Sequence, residues 1–156
     1  MRIAIISASN KQPDWVQAGY ETYAKRLRGA CVLELVDVPL AKRTRSAALA
    51  PLIEKEGQRM LAAIPKGAHV VALAEDGRHW STADLAGRLE RWSAMGRPVA
   101  LLIGGPDGLA PDCVARADEC WALSALTLPH GLVRVIVAEA LYRGWSLLKG
   151  HPYHRD

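Results

Sequence analysis

The chain has 156 residues and a mass of 17.0 kDa, which fits one domain over residues 1–156 and leaves little room for a second with its own core. Half of the residues are apolar, so a chain of this size buries about 70% of its unfolded surface without disulfides or metal, and disorder is excluded as its main state. Lys and Arg number 20 against 16 Asp and Glu, the isoelectric point is near 9.1, and the basic surplus lies in residues 1–50.

Short apolar runs alternate with segments of helical period. Ile3 to Ala8 and Val32 to Val38 read as strands, and between them Pro13 to Leu27 carries Trp15, Val16, Tyr20, Tyr23, Ala24 and Leu27 at helical spacing, with Pro13-Asp14 as its start. Two basic clusters lie here, Lys25-Arg26-Leu27-Arg28 at the end of that helix and Lys42-Arg43-Thr44-Arg45 after the second strand. They suit a polyanionic partner; the plainer alternative is a solvated helix face and a solvated loop. Ala47 to Ile64 predicts a second helix, closed by Pro65-Lys66-Gly67, and His69 to Leu73 predicts a buried strand. Ser81-Thr82-Ala83-Asp84 has the form of a capping box opening a helix that runs to about Met95 and closes at Gly96. Pro98 to Ile103 is the next strand, and it ends abruptly at Gly104-Gly105-Pro106-Asp107-Gly108. Pro111 to Glu119 predicts a short helix, and a fifth strand is expected within Trp121 to Leu128. Leu132 to Leu148 predicts a long helix whose only charges are Arg134, Glu139 and Arg143, so nearly its whole circumference must be covered, in part by a second subunit.

This order predicts an α/β fold, a mainly parallel sheet flanked by helices. Ligands of such sheets bind beyond the carboxyl ends of the strands, which points to Leu73 to Gly77, Gly104 to Gly108 and Leu126 to His130. The glycine-rich loop is no nucleotide-phosphate fingerprint, because Pro106 lacks an N–H and no Lys follows at the needed place. Adjacent glycines do admit a ligand close to the backbone. Ser124 to His130 offers small residues and backbone groups at another strand end, and a site of backbone and apolar walls suits a cofactor with a purine and a sulfonium. The tail His151-Pro152-Tyr153-His154-Arg155 reads as a frayed terminus, a weak metal site or a base-stacking contact to nucleic acid. Cys31, Cys113 and Cys120 form no CxxC, which favours a reducing cytoplasm over a disulfide framework or a structural zinc site. The amino-terminal apolar run is too short for a signal peptide, and no run reaches the 18 or so residues of a membrane span. No GxSxG, HExxH or paired-carboxylate spacing favours hydrolysis.

Taken together, Leu101 to Gly108, Leu123 to His130, Leu132-Val133-Arg134, Glu139 to Arg143, the His151-Pro152-Tyr153-His154-Arg155 tail and the amino-terminal Lys11 to Val16 resemble the bacterial ribosomal RNA large subunit methyltransferase H family, over the whole chain. The resemblance implies a SPOUT-type fold with a carboxy-terminal trefoil knot and a cytoplasmic homodimer. It further implies a reaction in which S-adenosylmethionine methylates N3 of a pseudouridine in the helix 69 loop of 23S rRNA on the assembled ribosome. By motif position the cofactor contacts Leu73, Gly105, Ser124, Ala125, Leu126, Thr127, Leu128 and Pro129. His154 or His130 takes the N3 proton, Arg134 or Arg155 steadies the anion, and Tyr153 stacks on the base. Arg43, Arg45 and Arg155 then contact RNA, with no metal and no membrane involved. The alternatives are a related SPOUT enzyme acting on another rRNA or tRNA position and a ribosome-binding factor without chemistry. Two departures from the family pattern stand out. Ser7-Ala8-Ser9-Asn10 replaces a common glycine in a loop expected away from the pocket, and Ala140 and Gly144 are expected to loosen the last helix or a dimer contact.

Overall fold

Alternating side chains of the first and fourth strands feed two separate apolar cores. Ile3, Ile5, Val99, Leu101 and Ile103 point to one side, Ala4, Ile6, Ala100 and Leu102 to the other, and all are buried. Strands buried on both faces belong to a parallel sheet covered by helices on both sides. The computed structural model describes residues 1–29 and 31–155, and among these the chain forms β1 (Arg2–Ala8), α1 (Asp14–Leu27), β2 (Val32–Val38), α2 (Leu49–Ala63), β3 (His69–His79), α3 (Thr82–Met95), β4 (Val99–Ile103), α4 (Pro111–Arg116), β5 (Glu119–Ala122) and α5 (His130–Leu148). The strand order is β2-β1-β4-β3-β5 and every ladder is parallel, so the expected α/β architecture holds.

Helices α1 and α3 flank α5 on the face of the larger core, while α2 and α4 pack together on the other. The capping box of α3 forms as the sequence predicts: Ser81 Oγ accepts from the Asp84 N–H at 3.0 Å and Asp84 accepts from the Ser81 N–H at 2.9 Å. Gly96, at φ +64°, closes that helix in the left-handed conformation that spares glycine a Cβ clash. Gly144 does not loosen α5. A Cβ there would lie 3.1 Å from Leu89 Cδ1 and 3.3 Å from Leu85 Cγ, so its absence lets α5 press on α3.

Among the boundaries that differ from the sequence reading, those around β3, α4 and β5 bear on the site. Strand β5 is Glu119–Ala122, so Leu123 to Pro129 is loop, and α4 stops at Arg116. Strand β3 does not end at Leu73 but resumes to His79 after an interruption. That interruption builds the site.

Candidate functional site

Trp121 of β5 pairs first with Leu73 and again with Arg78, so residues 74–77 are extruded as a bulge from the edge of β3. Gly77 makes the re-entry possible, since a Cβ there would lie 2.8 Å from the Cys120 carbonyl carbon. Trp121 is braced from behind by Trp80, stacked on it at 4.8 Å between ring centres, and the Arg88 guanidinium lies 3.9 Å from the centre of the Trp80 ring. The bulge, the loop after β4 and the loop after β5 enclose a cavity of about 530 Å³ at the carboxyl edge of the sheet. This is where a parallel sheet receives a ligand, and the volume suits one small organic molecule.

The second wall is backbone. A Cβ on Gly104 would sit 2.5 Å from the Gly108 carbonyl carbon, and one on Gly105 would sit 3.0 Å from Leu40 Cδ2 and 3.3 Å from the Ala8 carbonyl oxygen. Both positions therefore demand glycine for close approach rather than for an unusual φ. Gly108, at φ +91°, turns the chain so that its N–H donates to the Gly105 carbonyl at 3.0 Å. The third wall, Leu123, Ser124, Leu126, Thr127 and Leu128, is folded by Ser124 Oγ accepting from the Leu126 N–H at 3.0 Å.

Among the described residues that line this cavity there is no Lys or Arg, while Glu75 and Asp76 contribute carboxylates. A phosphate would find no counter-charge here and a cation would. His130, at the start of α5, also lines the cavity, and its buried Nε2 has no hydrogen-bond partner. Burial first, and then the Arg134 charge, push the His130 imidazole below its usual pKa, against an opposite pull from the Gly104 and Ala8 carbonyls.

Of the cofactor residues expected from the sequence, Leu73, Gly105, Ser124, Leu126, Thr127 and Leu128 line the cavity, whereas Ala125 and Pro129 belong to the same loop without lining it. Arg134 faces the other way. It is 1% exposed, and its Nη2 donates to Ser9 Oγ at 2.6 Å and Asp37 Oδ1 at 2.8 Å, tying α5 to the ends of β1 and β2. The Ser7 to Asn10 departure is therefore not remote: Ser9 anchors Arg134, and the Ala8 carbonyl lies beneath Gly105.

The tail folds back along its own helix. Tyr153 Oη donates to Glu139 Oε1 at 3.1 Å, the Tyr153 ring packs 4.5 Å from that of Tyr142, and Arg143 lies 4.9 Å from the Tyr153 ring centre with its Nη1 3.5 Å from His154 Nδ1. Burial first, and then Glu139, push the Tyr153 phenol up to about 12, so it stays protonated. Glu139 lies nine residues, roughly 13 Å, along α5 from His130, and the tail does not line the cavity of its own chain. Of the expected RNA contacts, Arg45 and Arg155 are exposed, whereas Arg43 turns inward to Glu56 and Asp107.

Glu75, Asp76, Trp121 and Val133 are cavity residues that the sequence reading passed over as individuals. The available signal was Gly77, a glycine set beyond an apolar run where a bulge closes on its neighbour. No group of His, Cys, Asp and Glu suited to a metal ion occurs among the described residues, and no helix is long and apolar enough to cross a membrane.

Residues 1–154 match the family described as predicted SPOUT methyltransferase. The chain is 56% identical to the ribosomal RNA large subunit methyltransferase H of Thioalkalivibrio sulfidiphilus over 156 residues, the whole of both chains. Among solved structures it is similar to a probable methylase family protein of Haemophilus influenzae, with a TM-score of 0.54 and 12% identity over 99% of this chain and 70% of that one, a likeness of fold. With its cavity at the carboxyl edge of a parallel sheet and both sequence matches running essentially end to end, the chain belongs to the ribosomal RNA large subunit methyltransferase H family of SPOUT methyltransferases.

Proposed function

We propose that this protein transfers the methyl group of S-adenosylmethionine to N3 of a pseudouridine in the helix 69 loop of 23S rRNA, acting on the assembled ribosome as a cytoplasmic homodimer with the knotted carboxy-terminal segment of its family. The observation that carries the cofactor assignment is the charge of the cavity: carboxylates, glycine backbone and apolar walls, with no Lys or Arg among the described lining residues. The rRNA substrate is carried by the full-length relative, whose name assigns it to the large-subunit RNA.

The donor set fits S-adenosylmethionine. The tight turn at Gly104 to Gly108 and the Ser124-folded loop present backbone groups to a purine and ribose, while Glu75 and Asp76 offset a positive charge. When bound, the cofactor supplies an electrophilic methyl group on a sulfonium. Leu73, Ile103 and Val133 give that region apolar walls. An imide nitrogen must lose its proton before it can attack, and His130, a histidine lining the cavity, is the residue of this chain placed to take it. Alignment of acceptor and methyl group supplies much of the remaining acceleration. Tyr153, His154 and Arg155 lie along α5 outside their own cavity, so in this reading they reach the site of a second copy, Tyr153 stacking on the base and Arg155 steadying the anion. Arg45 and the neighbouring Lys42, both exposed, grip phosphate.

The test is incubation of the protein and labelled S-adenosylmethionine with ribosomes lacking this modification, with free 23S rRNA in parallel, followed by mass spectrometry of the nucleosides. Methylpseudouridine formed only with ribosomes is the expected result. Label on another nucleoside would transfer the enzyme to a different RNA position. Failure to bind S-adenosylmethionine at all would leave a ribosome-binding factor without chemistry.

A further inference from the structure

Arg43 sits in a strongly basic loop, yet each of its five N–H donors is already engaged inside the chain. Its Nη1 donates to the Ala41 carbonyl at 2.8 Å and to Glu56 Oε2; its Nη2 donates to Glu56 Oε1 at 3.2 Å and Asp107 Oδ2 at 2.9 Å; its Nε donates to Asp107 Oδ2 at 3.2 Å. A guanidinium has no sixth donor to offer a phosphate. Glu56, on α2, has a side chain only 3% exposed and also accepts from the Ala41 N–H at 2.9 Å. Asp107 belongs to the turn that closes the cavity, and Gly105 of that turn rests on Leu40 of the same basic loop, with the position of a Cβ 3.6 Å from Glu56 Oε1. The two neighbours of Arg43 in the basic cluster, Lys42 and Arg45, are exposed by contrast.

We propose that Arg43 is a positioning residue for the cofactor cavity: its guanidinium straps the turn Gly105 to Gly108 to Glu56 of α2 and holds the cavity wall in shape. The proposal deepens the reading of the cavity as the S-adenosylmethionine site and rests on it for its functional consequence. The strap spans three elements that no local sequence signal connects, the loop after β2, helix α2 and the loop after β4. Glu56, and then Asp107, raise the Arg43 pKa further above its already high value. Bidentate, charge-assisted pairing of this kind fixes geometry as well as energy, which an ammonium on one point contact does not reproduce.

The test uses the full chain with three single variants. Asp107→Asn weakens only the arm to the turn and leaves Arg43 on Glu56, so the buried carboxylate keeps its partner. Arg43→Gln removes the strap, and Arg43→Lys tests geometry against charge. Three readings are taken: amide hydrogen exchange of residues 104–109, calorimetric affinity for S-adenosylmethionine, and the salt dependence of binding to 23S rRNA. The strap predicts faster exchange of the turn in all three variants and a three- to tenfold (about 0.7 to 1.4 kcal/mol) weaker cofactor affinity. It predicts a salt slope for Arg43→Gln equal to that of the wild type. A phosphate contact would instead lower that slope by about one with cofactor affinity unchanged, and this result would overturn the proposal. Wild-type exchange in Asp107→Asn and Arg43→Gln would also overturn it. Faster exchange with unaltered cofactor affinity would also overturn it, leaving Arg43 a structural strap that does not position the cofactor site, whereas a wild-type protein that binds no S-adenosylmethionine would instead overturn the reading of the cavity on which the proposal rests.

Discussion

Arg134→Met separates a structural arginine from a catalytic one. The side chain is 2% exposed, and it holds Asp37 through Nη2 at 2.8 Å and Nη1 at 3.5 Å and Ser9 through Nη2 at 2.6 Å. Removing one member of a fully buried ion pair costs about 3–5 kcal/mol. Two features reduce that figure here. The Asp37 side chain is 47% exposed, so water takes over the lost charge contact, and Ser9 Oγ still donates to Asp37 Oδ1 at 2.8 Å. Methionine refills most of the aliphatic volume, and it removes the cost of an Arg134 Nε that is buried without a partner. The expected loss is therefore about 2–3 kcal/mol, which for a chain of this size lowers Tm by roughly 5–10 °C. Thermal unfolding followed by circular dichroism measures it. A double-mutant cycle with Asp37→Asn should return a coupling of about 1 kcal/mol or more, since the two side chains share hydrogen bonds. A Tm within a degree of wild type, combined with lost turnover, would refute this account and return Arg134 to the reacting anion.

Three further outcomes follow from the same geometry. His130 titrates below an ordinary histidine, mainly because it is buried and next because Arg134 is near; the unfolded chain takes up its proton near pH 6.5 while the native chain still refuses it, so stability falls as pH drops below that point. His130→Gln flattens this part of the profile, and an unchanged slope in urea midpoints against pH would contradict it. Burial raises both Tyr20 and Tyr153 to about 12, so native phenols keep protons that the unfolded chain loses near 10, and stability declines between pH 10 and 12; a phenolate absorbance titration should find two tyrosines ionising only near the upper value, and Tyr20→Phe should remove part of the decline. Gly87 lies inside α3 with nothing within 4 Å of the point a Cβ would occupy, so Gly87→Ala gains about 1 kcal/mol of helix propensity and raises Tm by roughly 2–4 °C in thermal unfolding, whereas Gly144→Ala, facing Leu89 at 3.1 Å, gains less.

The sheet and its helices were legible in the sequence because burial on both faces of a parallel strand leaves apolar runs, and a surface helix leaves a stripe; Ile3 to Ala8 and Pro98 to Ile103 show the first, Pro13 to Leu27 the second. What failed was the edge. After Leu73 the residues Ala74-Glu75-Asp76-Gly77 read as chain leaving a strand, and nothing in Arg78-His79 announces a return, because that return is set by pairing with Trp121 and Ala122 more than forty residues later. The strand-end rule found all three cavity loops, since it depends on the order of elements, but it assigned no carboxylate to the cavity. The arginines were harder still. The sequence reading assigned Arg43 to RNA and Arg134 to the reacting anion, because their partners Asp107 and Asp37 stand 64 and 97 residues away.

Sorting the basic residues by their partners changes what the net charge of +4 means. Arg43, Arg88, Arg134 and Arg143 pair with carboxylates inside the chain and lend nothing to a distant polyanion. Arg26 lies 5.5 to 5.9 Å from the ring centres of Tyr23, Tyr142 and Tyr153, where it binds the tail to α1. Within the two basic clusters, Lys25, Arg28, Lys42 and Arg45 are exposed, two at the end of α1 and two in the loop after β2. Substituting these four is the change that weakens binding to RNA through the salt-dependent phosphate term, while substituting an internally paired arginine alters shape first. A chain can thus carry one excess of positive charge and use it in two ways, with some charges held out to solvent and others, Arg43 among them, fixing the wall of a cavity that itself excludes Lys and Arg among its described residues. In the proposed function, that division lets a polyanion and a cationic cofactor be held by the same small protein without competing for the same ground.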